Sequence, residues 1–304
     1  MKVLVTGGAG FIGSHIVDLL IKNNYEVCII DDLSHGNIDN INSKAKFYKY
    51  NIKSSNLINI FKIEKPEVII HEAAKISVSD SIKYPIKDAE TNIIGTLNVL
   101  EAARKTNIKK IIYSSSSAVF GKAEYFPIDE NHPLNTISNY GVSKQASENY
   151  LKVYKELYGL NYIILRYSNV YGPRQKSSGE SGVIPIFCMK ILKDKSPFIY
   201  GDGNQTRDFI YVKDVARANL LSIQNNLSGI FNVSSNKSIS INQLFKYISS
   251  ILNKNISPIY KRKINGDIEN SLISYKKIFN ELGWKPKYTI LEGLKETIEF
   301  YKKR

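Results

Sequence analysis

The sequence contains one tyrosine and one lysine whose spacing suits proton transfer. Tyr140 and Lys144 are four residues apart, so a helix starting there would carry both side chains on one face. A lysine ammonium close to a phenol lowers the phenol's pKa from about 10 towards neutrality, which makes the phenol a usable acid and base. No other tyrosine in the chain has a lysine four positions later. An exposed helical pair without a chemical role is the alternative interpretation.

A run of four serines, residues 114–117, follows an apolar segment that is typical of a strand. Serines at a strand end can simply satisfy backbone groups in a turn. In a parallel sheet, however, that end faces the ligand crevice. We therefore expect at least one of these hydroxyls to lie near Tyr140 and Lys144.

Near the start of the chain, Gly7, Gly10 and Gly13 separate a predicted strand (2–6) from a predicted helix (11–22). Such glycines permit a tight turn, close approach of a pyrophosphate and close packing of helix on strand. The free N–H groups and the dipole of the helix N-terminus attract the anion. The pattern predicts a dinucleotide site.

An acidic residue, Asp31, ends the second predicted strand, 18 residues after Gly13. A carboxylate at this point accepts the hydroxyl groups of the adenosine ribose and repels a 2′-phosphate. The sequence therefore favours NAD over NADP as the cofactor.

Short strands rich in Val and Ile alternate with helical segments and must position these residues. The predicted strands are 2–6, 26–31, 47–50, 68–71, 110–115 and 162–167, and the helices between them are 11–22, 55–63, 87–106 and 140–158. Continuous apolar strands separated by helices indicate a doubly wound parallel sheet of the Rossmann type, an α/β fold. Ligands bind such sheets at the carboxyl ends of the strands.

After about residue 167 the alternation ends, and mixed short strands and helices indicate a smaller C-terminal α+β substrate lobe. The predicted elements there are strands 198–200, 208–212 and 230–233 with helices 183–193, 215–224, 241–252, 275–281 and 291–301. We expect residues 1–167 to form an NAD-binding Rossmann domain to which 207–233 return, and residues 168–206 and 234–304 to form the second lobe.

Composition excludes several classes of protein. The chain has 304 residues, is 43% hydrophobic and 23% charged, and is therefore a globular protein rather than a disordered one. No apolar run approaches a membrane span, and the first residues enter a strand without a signal peptide, so we expect a cytoplasmic protein. Two distant cysteines and four scattered histidines predict neither a disulfide framework nor a metal site.

A net charge of +14 is the unusual feature, and residues 245–304 contain 13 basic and 6 acidic side chains. Clustered basic residues can bind nucleic acid by releasing phosphate counterions. A lysine-rich surface or an anionic small ligand explains the charge equally well. We expect no nucleic-acid partner.

Six segments in order carry a resemblance to a known family: TGGAGFIGSH, DDLSHG, YSSSSAVFG, YGVSK, RYSNVYGPRQ and YGDGNQTRDFIYVKDV. The chain resembles the extended short-chain dehydrogenase/reductases and, among them, the UDP-hexose 4-epimerases such as those acting on UDP-glucose. The match is strong to about residue 220 and looser beyond it.

The resemblance implies roles for individual residues. It implies that Ser116, Tyr140 and Lys144 are catalytic, and that Ser116 and Tyr140 also contact the substrate. Besides the three glycines, Asp31, Tyr140 and Lys144, the implied NAD contacts are Phe11, Ile12, Asp32, Ser34, Gly36, Asn51, Ile52, Ala73, Ala74 and Asn92. The implied contacts with the UDP-sugar are Asn169, Val183, Arg207, Arg262, Asp267 and Ser271.

Two departures from the family pattern affect these assignments. Asn51 stands where the family usually has an aspartate for the adenine, and an amide can still hydrogen-bond that base. An alignment on Gly266 and Asp267 puts Ile264 where the family has an arginine for the diphosphate. Arg262 is the substitute that we assign, although Lys263 is an alternative.

The implied reaction is reversible inversion at C4 of a UDP-hexose through a 4-keto sugar. A dehydratase, decarboxylase or reductase acting on nucleotide sugars is the nearest alternative. Dehydratases need additional carboxylates after the catalytic hydroxyl residue, where this chain has Ser117 and Ala118. A non-catalytic NAD- or RNA-binding descendant is a further alternative, although the chain retains both Tyr140 and Lys144.

In the resembling epimerases, the fourth residue after the Gly-Asp aspartate bounds the pocket beside the sugar 2-position, and a small residue there admits N-acetyl sugars. Ser271 stands at this position, so the resemblance implies tolerance for N-acetylated UDP-hexoses as well as for UDP-glucose and UDP-galactose. The resemblance also implies a homodimer.

Overall fold

The computed structural model describes residues 1–177, 182–264 and 268–303. Its strands are β1 (Lys2–Thr6), β2 (Glu26–Asp31), β3 (Lys46–Lys49), β4 (Val68–His71), β5 (Lys110–Ser116), β6 (Asn161–Tyr167), β7 (Asn169–Tyr171), β8 (Phe198–Tyr200), β9 (Thr206–Tyr211), β10 (Gly229–Val233), β11 (Ser238–Ser240) and β12 (Ile259–Lys261). Its α-helices are α1 (Phe11–Lys22), α2 (Leu57–Glu64), α3 (Val78–Lys83), α4 (Pro85–Ala89), α5 (Gly95–Lys105), α6 (Asn139–Tyr158), α7 (Val183–Leu192), α8 (Val212–Gln224), α9 (Ile241–Leu252), α10 (Lys276–Leu282) and α11 (Ile290–Lys302).

Seven strands form one central sheet in the order β10-β6-β5-β4-β1-β2-β3. Every neighbouring pair in it is parallel. Because both faces are covered by helices, inner strands such as β4 are buried at every residue, and their sequences are continuous apolar runs rather than alternating ones. The predicted α/β Rossmann fold is confirmed.

Two apolar layers hold the helices to this sheet. On one face, Ile16 and Leu20 of α1 and Val215 of α8 pack with Trp284. On the other face, residues of α2, α5 and α6, such as Leu151, pack against β2, β4 and β5. The sheet therefore presents its carboxyl edge, rather than its faces, to ligands.

The predicted helix 87–106 is interrupted in the structure. A π-helical turn, Glu90–Ile94, separates α4 from α5. The carbonyl oxygen of Asn92 accepts hydrogen bonds from the hydroxyls of Thr96 at 2.6 Å and Ser147 at 2.8 Å. These side chains compete with the regular helical hydrogen bond, which is a recognised cause of such irregularities.

The remaining strands form two small sheets, β11-β9-β7 and β12-β8, that pack with α7, α9 and α11. The sequence did not predict β7, β11 and β12, because each has three residues and shows no periodicity of its own. Strand β9 belongs to a small sheet, whereas β10 returns to the central one. The division into two domains at the predicted residues stays a prediction.

Membrane spans and metal clusters are both absent from the described ranges. Every helix in residues 1–177, 182–264 and 268–303 is too short or too polar to cross a bilayer. The same ranges bring together no group of three or more His, Cys, Asp and Glu side chains suited to a metal ion.

Candidate active site

The glycine turn after β1 lies against the loop that follows β4. Gly7 has a φ of +71°, and a Cβ added there would lie 2.7 Å from the backbone nitrogen of Ala73. A Cβ on Gly13 would lie 2.2 Å from the carbonyl oxygen of Gly7. Only glycine fits these two positions, as the predicted phosphate turn requires.

Helix α1 begins immediately after this turn, with Phe11 and Ile12 in its first turn. Gly10 is its N-cap, and no side chain of the described residues caps it. The amide groups at its start are therefore available to an anion, which the helix dipole also favours.

Asp31 is buried at the end of β2, and backbone amides hold its carboxylate. Its Oδ2 accepts from the Ala9 N–H at 3.0 Å, and its Oδ1 accepts from the Leu33 N–H at 2.8 Å. Burial raises the pKa of Asp31, and these two hydrogen bonds oppose the rise. Gly36 packs directly against this carboxylate, since a Cβ there would lie 2.9 Å from Oδ1.

Asp32 and Asn51 lie on the outer side of Asp31. Asp32 accepts from the Ser34 N–H and from the Asn51 amide, each at 2.8 Å. The amide oxygen of Asn51 accepts from the Lys53 N–H at 2.8 Å. The neutral Asn51 is thus engaged with its neighbours, and its predicted contact with adenine stays a prediction.

Asn92 fastens the loop after β4 to helix α6. Its Oδ1 accepts from the Lys75 N–H at 2.8 Å, and its Nδ2 lies 3.0 Å from the Lys75 carbonyl oxygen and 3.1 Å from the Ser143 hydroxyl. Asn92 therefore holds the loop that carries Ala73 and Ala74. Ile52 is buried beside Gly95 at the same edge of the sheet.

The structure brings Ser116, Tyr140 and Lys144 together at the carboxyl end of β5. Ser138 caps α6 by accepting from the Gly141 N–H at 3.1 Å, so that Tyr140 and Lys144 share the first turns of the helix. Ser116 ends β5, its hydroxyl accepts from the Ala118 N–H at 3.2 Å, and it lowers the pKa of the Tyr140 phenol. Lys144 donates through Nζ to the Ser114 carbonyl oxygen at 2.7 Å.

The electrostatics of this cluster differ from the simple expectation that the lysine lowers the pKa of the phenol. Burial raises the pKa of Tyr140 to about 12, although the Ser116 hydrogen bond lowers it. Burial also lowers the pKa of Lys144 to about 8. The ammonium lies 5.9 Å from the centre of the Tyr140 ring and binds the Ser114 carbonyl instead, so desolvation has the larger effect on the phenol.

Sequence reasoning missed Glu72, which follows β4 at the same edge. Its Oε1 accepts from the Tyr167 hydroxyl at 2.8 Å, and its charge acts on Lys144. Its position one residue after a predicted strand, at the carboxyl edge, was the available signal.

A cavity of about 230 Å³ opens beyond β7, which follows β6 after one residue. Asn169, Val183 and Arg207 all line it. Its wall also contains Phe198, Tyr200 and Ile264. Three of the predicted substrate contacts therefore meet in one cleft, and Asn169 lies two residues beyond Tyr167, which is level with Ser116 in the register of β5 and β6.

The other predicted substrate contacts are placed differently. Arg262 is exposed and does not belong to the described lining of this cavity, whereas Ile264 does. Ser271 is buried beside β9, where its N–H donates to the Thr206 hydroxyl at 3.4 Å. Asp267 lies outside the described residues.

These residues fit NAD on structural grounds. The turn has no room for a Cβ, the start of α1 is uncapped by any described side chain, and the buried carboxylate of Asp31 lies where a ribose would hydrogen-bond. When bound there, NAD would be held by the glycine turn, Asp31 and Lys144.

Comparisons with known proteins agree with this site. The sequence profile of the NAD dependent epimerase/dehydratase family matches residues 3–234. A protein of Methanocaldococcus jannaschii described as a putative UDP-glucose 4-epimerase is 48% identical over 301 residues, which cover 99% of this chain and 98% of that protein.

Two solved structures are similar along the whole chain. The UDP-glucose 4-epimerase of Thermotoga maritima with UDP-glucose has a TM-score of 0.98 and 43% identity, covering 100% of this chain and 99% of that one. The UDP-N-acetylglucosamine 4-epimerase of Methanobrevibacter ruminantium M1 has a TM-score of 0.95 and 41% identity, covering 99% and 98%. The resemblance seen in the sequence is confirmed, and the chain belongs to the NAD-dependent epimerase/dehydratase family.

Proposed function

We propose that this protein inverts C4 of UDP-hexoses, with NAD as its resident cofactor. One observation carries the proposal. Ser116, Tyr140 and Lys144 meet at the end of β5, and Asn169 and Arg207 line a cleft. Asn169 lies two residues beyond Tyr167, which is level with Ser116 in the register of β5 and β6. An acid–base pair next to an anion-binding cleft suits a sugar attached to a diphosphate.

Each member of the cluster has a distinct task. Tyr140 takes the proton of the sugar's 4-hydroxyl and later returns it. Ser116, whose hydroxyl lowers the pKa of the phenol, orients the same oxygen. Lys144 holds the nicotinamide ribose and stabilises the ionised Tyr140. NAD, when held by the glycine turn, Asp31 and Lys144, would supply the hydride transfer at C4 that inversion through a 4-keto sugar requires.

Inversion is favoured over elimination of water by the residue types directly after Ser116. Ser117 and Ala118 begin a short 3₁₀ turn, Ser117–Val119, and neither has a carboxyl group. Elimination needs an additional acid and base at this point. A dehydratase reaction is therefore the second candidate and is tested by the product formed.

Binding of the UDP moiety is assigned to the lobe formed by residues 168–206 and 234–304, together with Arg207, which directly follows the first of these segments in β9. The guanidinium of Arg207 presents a fork of donors that suits a diphosphate. Phe198 and Tyr200 provide apolar and aromatic surface in the same cleft. The exposed Arg262, which is outside the described lining of the cleft, and Asp267 are assigned to this site by resemblance alone.

The test is conversion of UDP-galactose to UDP-glucose by the purified protein, followed by chromatography of the products. Tyr140→Phe is expected to lower kcat by about 10²–10⁴-fold, because the proton acceptor is lost. Tyr158→Phe, which removes an exposed hydroxyl from the same helix, is the matched control and retains activity. A wild type that releases a 4-keto-6-deoxy sugar, or is inactive with added NAD, contradicts the proposal.

The substrate range includes N-acetylated sugars in this proposal, since Ser271 is small and the similar Methanobrevibacter protein is a UDP-N-acetylglucosamine 4-epimerase. Rates with UDP-GlcNAc and UDP-Glc, measured side by side, test the extension. Ser271→Tyr is expected to reduce the rate with UDP-GlcNAc more than the rate with UDP-Glc. Complete inactivity of the wild type with UDP-GlcNAc refutes it.

We also propose a homodimer through the outer face of α6. Val142, Tyr150, Val153 and Leu157 are exposed by 38–65% and lie on one helical face, opposite the catalytic side chains. A second copy of this apolar stripe would cover it. Val153→Glu is expected to convert a dimer to a monomer in sedimentation experiments, and a monomeric wild type at micromolar concentration contradicts this proposal.

The cytoplasm is the compartment in which we expect this enzyme to act. Cys28 and Cys188 are both buried free thiols. Unpaired cysteines are typical of a reducing compartment.

A further inference from the structure

Glu72 has no role in the mechanism above, yet it lies beside the acid–base pair. His71 is level with Tyr113 in the register of β4 and β5, so Glu72 is level with Ser114. Its carboxylate accepts from the Tyr167 hydroxyl at 2.8 Å, and the Ser114 hydroxyl favours its charged form by lowering its pKa.

The support of this carboxylate continues into α8. The Asn219 amide donates to the Tyr167 hydroxyl at 2.8 Å, and its Nδ2 also lies 3.0 Å from the Val215 carbonyl oxygen. The Tyr167 hydroxyl is thus oriented to donate to Glu72. Three elements, β5, β6 and α8, therefore fix where the carboxylate lies.

Lys144 is bonded to the same residue that supports Glu72, because its Nζ donates to the Ser114 carbonyl. Three carboxylates raise the pKa of this lysine: Glu72 after β4, Asp88 in α4 and Glu148 in α6. The effect of Glu72 is the largest of the three.

Other ionisable groups also act on the pair, and Asp88 raises the pKa of Tyr140 more than Glu72 does. Asp88 and Glu72 both raise the pKa of Tyr140, in addition to burial. Burial lowers the pKa of His71 to about 3, so this neighbouring ring is neutral at physiological pH. Burial raises the pKa of Glu72 itself, and the Tyr167 and Ser114 hydrogen bonds and the Lys144 charge oppose that rise.

We propose that Glu72 is a positioning residue for the acid–base pair, whose negative charge, held in place by Tyr167 and Ser114, keeps Lys144 an ammonium and opposes ionisation of Tyr140. The inference rests on the proposed function for its kinetic readout. The second readout, NAD affinity against pH, does not depend on the proposed function.

Glu72→Gln tests the charge while preserving the size of the side chain and an acceptor for Tyr167. Removal of a neighbouring negative charge lowers the pKa of both Tyr140 and Lys144. Both limbs of the bell-shaped profile of kcat against pH should therefore move to lower pH, by about one unit. If Glu72 only packs against its neighbours, kcat should fall at every pH while both limbs stay at the same pH.

Glu72→Asp is the matched control, because it shortens the side chain but keeps the charge. The limbs of its profile of kcat against pH are expected to stay near those of the wild type, even if kcat itself falls. Unmoved limbs in Glu72→Gln, or an equal shift in Glu72→Asp, overturn the proposal. Glu72→Leu removes the same charge with a similar volume and replaces Glu72→Gln if that protein does not fold.

NAD affinity against pH gives a second readout that needs no epimerase activity. Loss of the Lys144 ammonium weakens the binding of the ribose, so affinity falls as pH rises through the pKa of Lys144. That fall is expected about one pH unit lower in Glu72→Gln than in the wild type. A wild type that fails to convert UDP-sugars refutes the proposed function, whereas an identical NAD profile in both proteins refutes the role of Glu72.

Discussion

Replacing Glu148 by glutamine is expected to destabilise the protein by about 3–5 kcal/mol, because it leaves the buried guanidinium of Arg166 without its counter-charge. The two side chains are 0% and 2% exposed. Arg166 Nε and Nη2 donate to the two oxygens of Glu148 at 2.9 and 2.7 Å, and the Ser115 hydroxyl donates to Oε1 at 2.6 Å. The pair thus joins β5, β6 and α6, with Ser115 adjacent to Ser116 and Glu148 one helical turn after Lys144.

The magnitude follows from how little else can stabilise Arg166. Its Nη1 has no hydrogen-bond partner among the described residues, and its guanidinium carbon lies 5.0 Å from the centre of the Phe120 ring. Because a folded protein is typically stable by only about 5–15 kcal/mol, a loss of this size is a large fraction of the total.

The chain provides a matched control on its surface. Arg104 donates to the two oxygens of Glu101 at 2.9 and 2.8 Å, but these side chains are 35% and 36% exposed. Glu101→Gln removes the same charge from the same two-pronged contact. Because water solvates the remaining guanidinium, its effect should be far smaller.

The assay is urea unfolding of the wild type and both variants, followed by circular dichroism. The double variant Glu148→Leu/Arg166→Met should recover most of the loss, since apolar residues avoid the cost of burying an unpaired charge. If Glu148→Gln loses no more stability than Glu101→Gln, burial does not determine the contribution of this ion pair, and the reasoning is refuted.

Three further predictions concern the cofactor site and the base of the sheet. Gly13→Ala should abolish NAD binding while the protein remains folded, because the new Cβ would lie 2.2 Å from the Gly7 carbonyl oxygen. The absorbance of the dinucleotide released from the purified variant checks this, and a normal NAD content contradicts it. Asp31→Asn should tighten NADP binding relative to NAD, since repulsion of the 2′-phosphate is removed, and an unchanged ratio of dissociation constants in fluorescence titrations would count against this role. Burial lowers the pKa of Lys110 to about 8, so between about pH 8 and 10.5 the unfolded chain binds more protons than the folded one. The free energy of unfolding of the wild type should therefore rise with pH over that window, and Lys110→Met should lack this rise in urea unfolding. Parallel pH profiles of the two proteins would disprove the prediction.

Local sequence patterns predicted the long elements closely. Helix α1 begins at Phe11 and ends at Lys22 as predicted, because its glycine turn, apolar face and terminal lysine are all local signals. The π-helical turn Glu90–Ile94 was not predictable, since Ser147, one of the two hydroxyls that disturb the helix there, comes from α6. The short strand β7 was not predictable for the same reason, because its pairing partner β9 lies far along the chain.

The candidate site likewise contains residues that the sequence could predict and one that it could not. Ser116, Tyr140 and Lys144 could be selected from residue type, spacing and the rule that ligands bind at the carboxyl edge. Glu72 could not, because a lone glutamate after a strand is unremarkable until Tyr167 and Ser114 are seen to hold it.

The sequence by itself determined the fold class and the NAD cofactor, and it predicted the cofactor turn and the acid–base pair that we propose, because each depends on residues that are close together or repeat with a regular period. Only the tertiary structure decided the electrostatics of the site. Whether Tyr140 and Lys144 are buried, and which carboxylates face them, depends on contacts between β4, β5, β6 and α6. Desolvation and charge act through space, so the pKa of Tyr140 rises where the spacing of two residues alone predicted a fall.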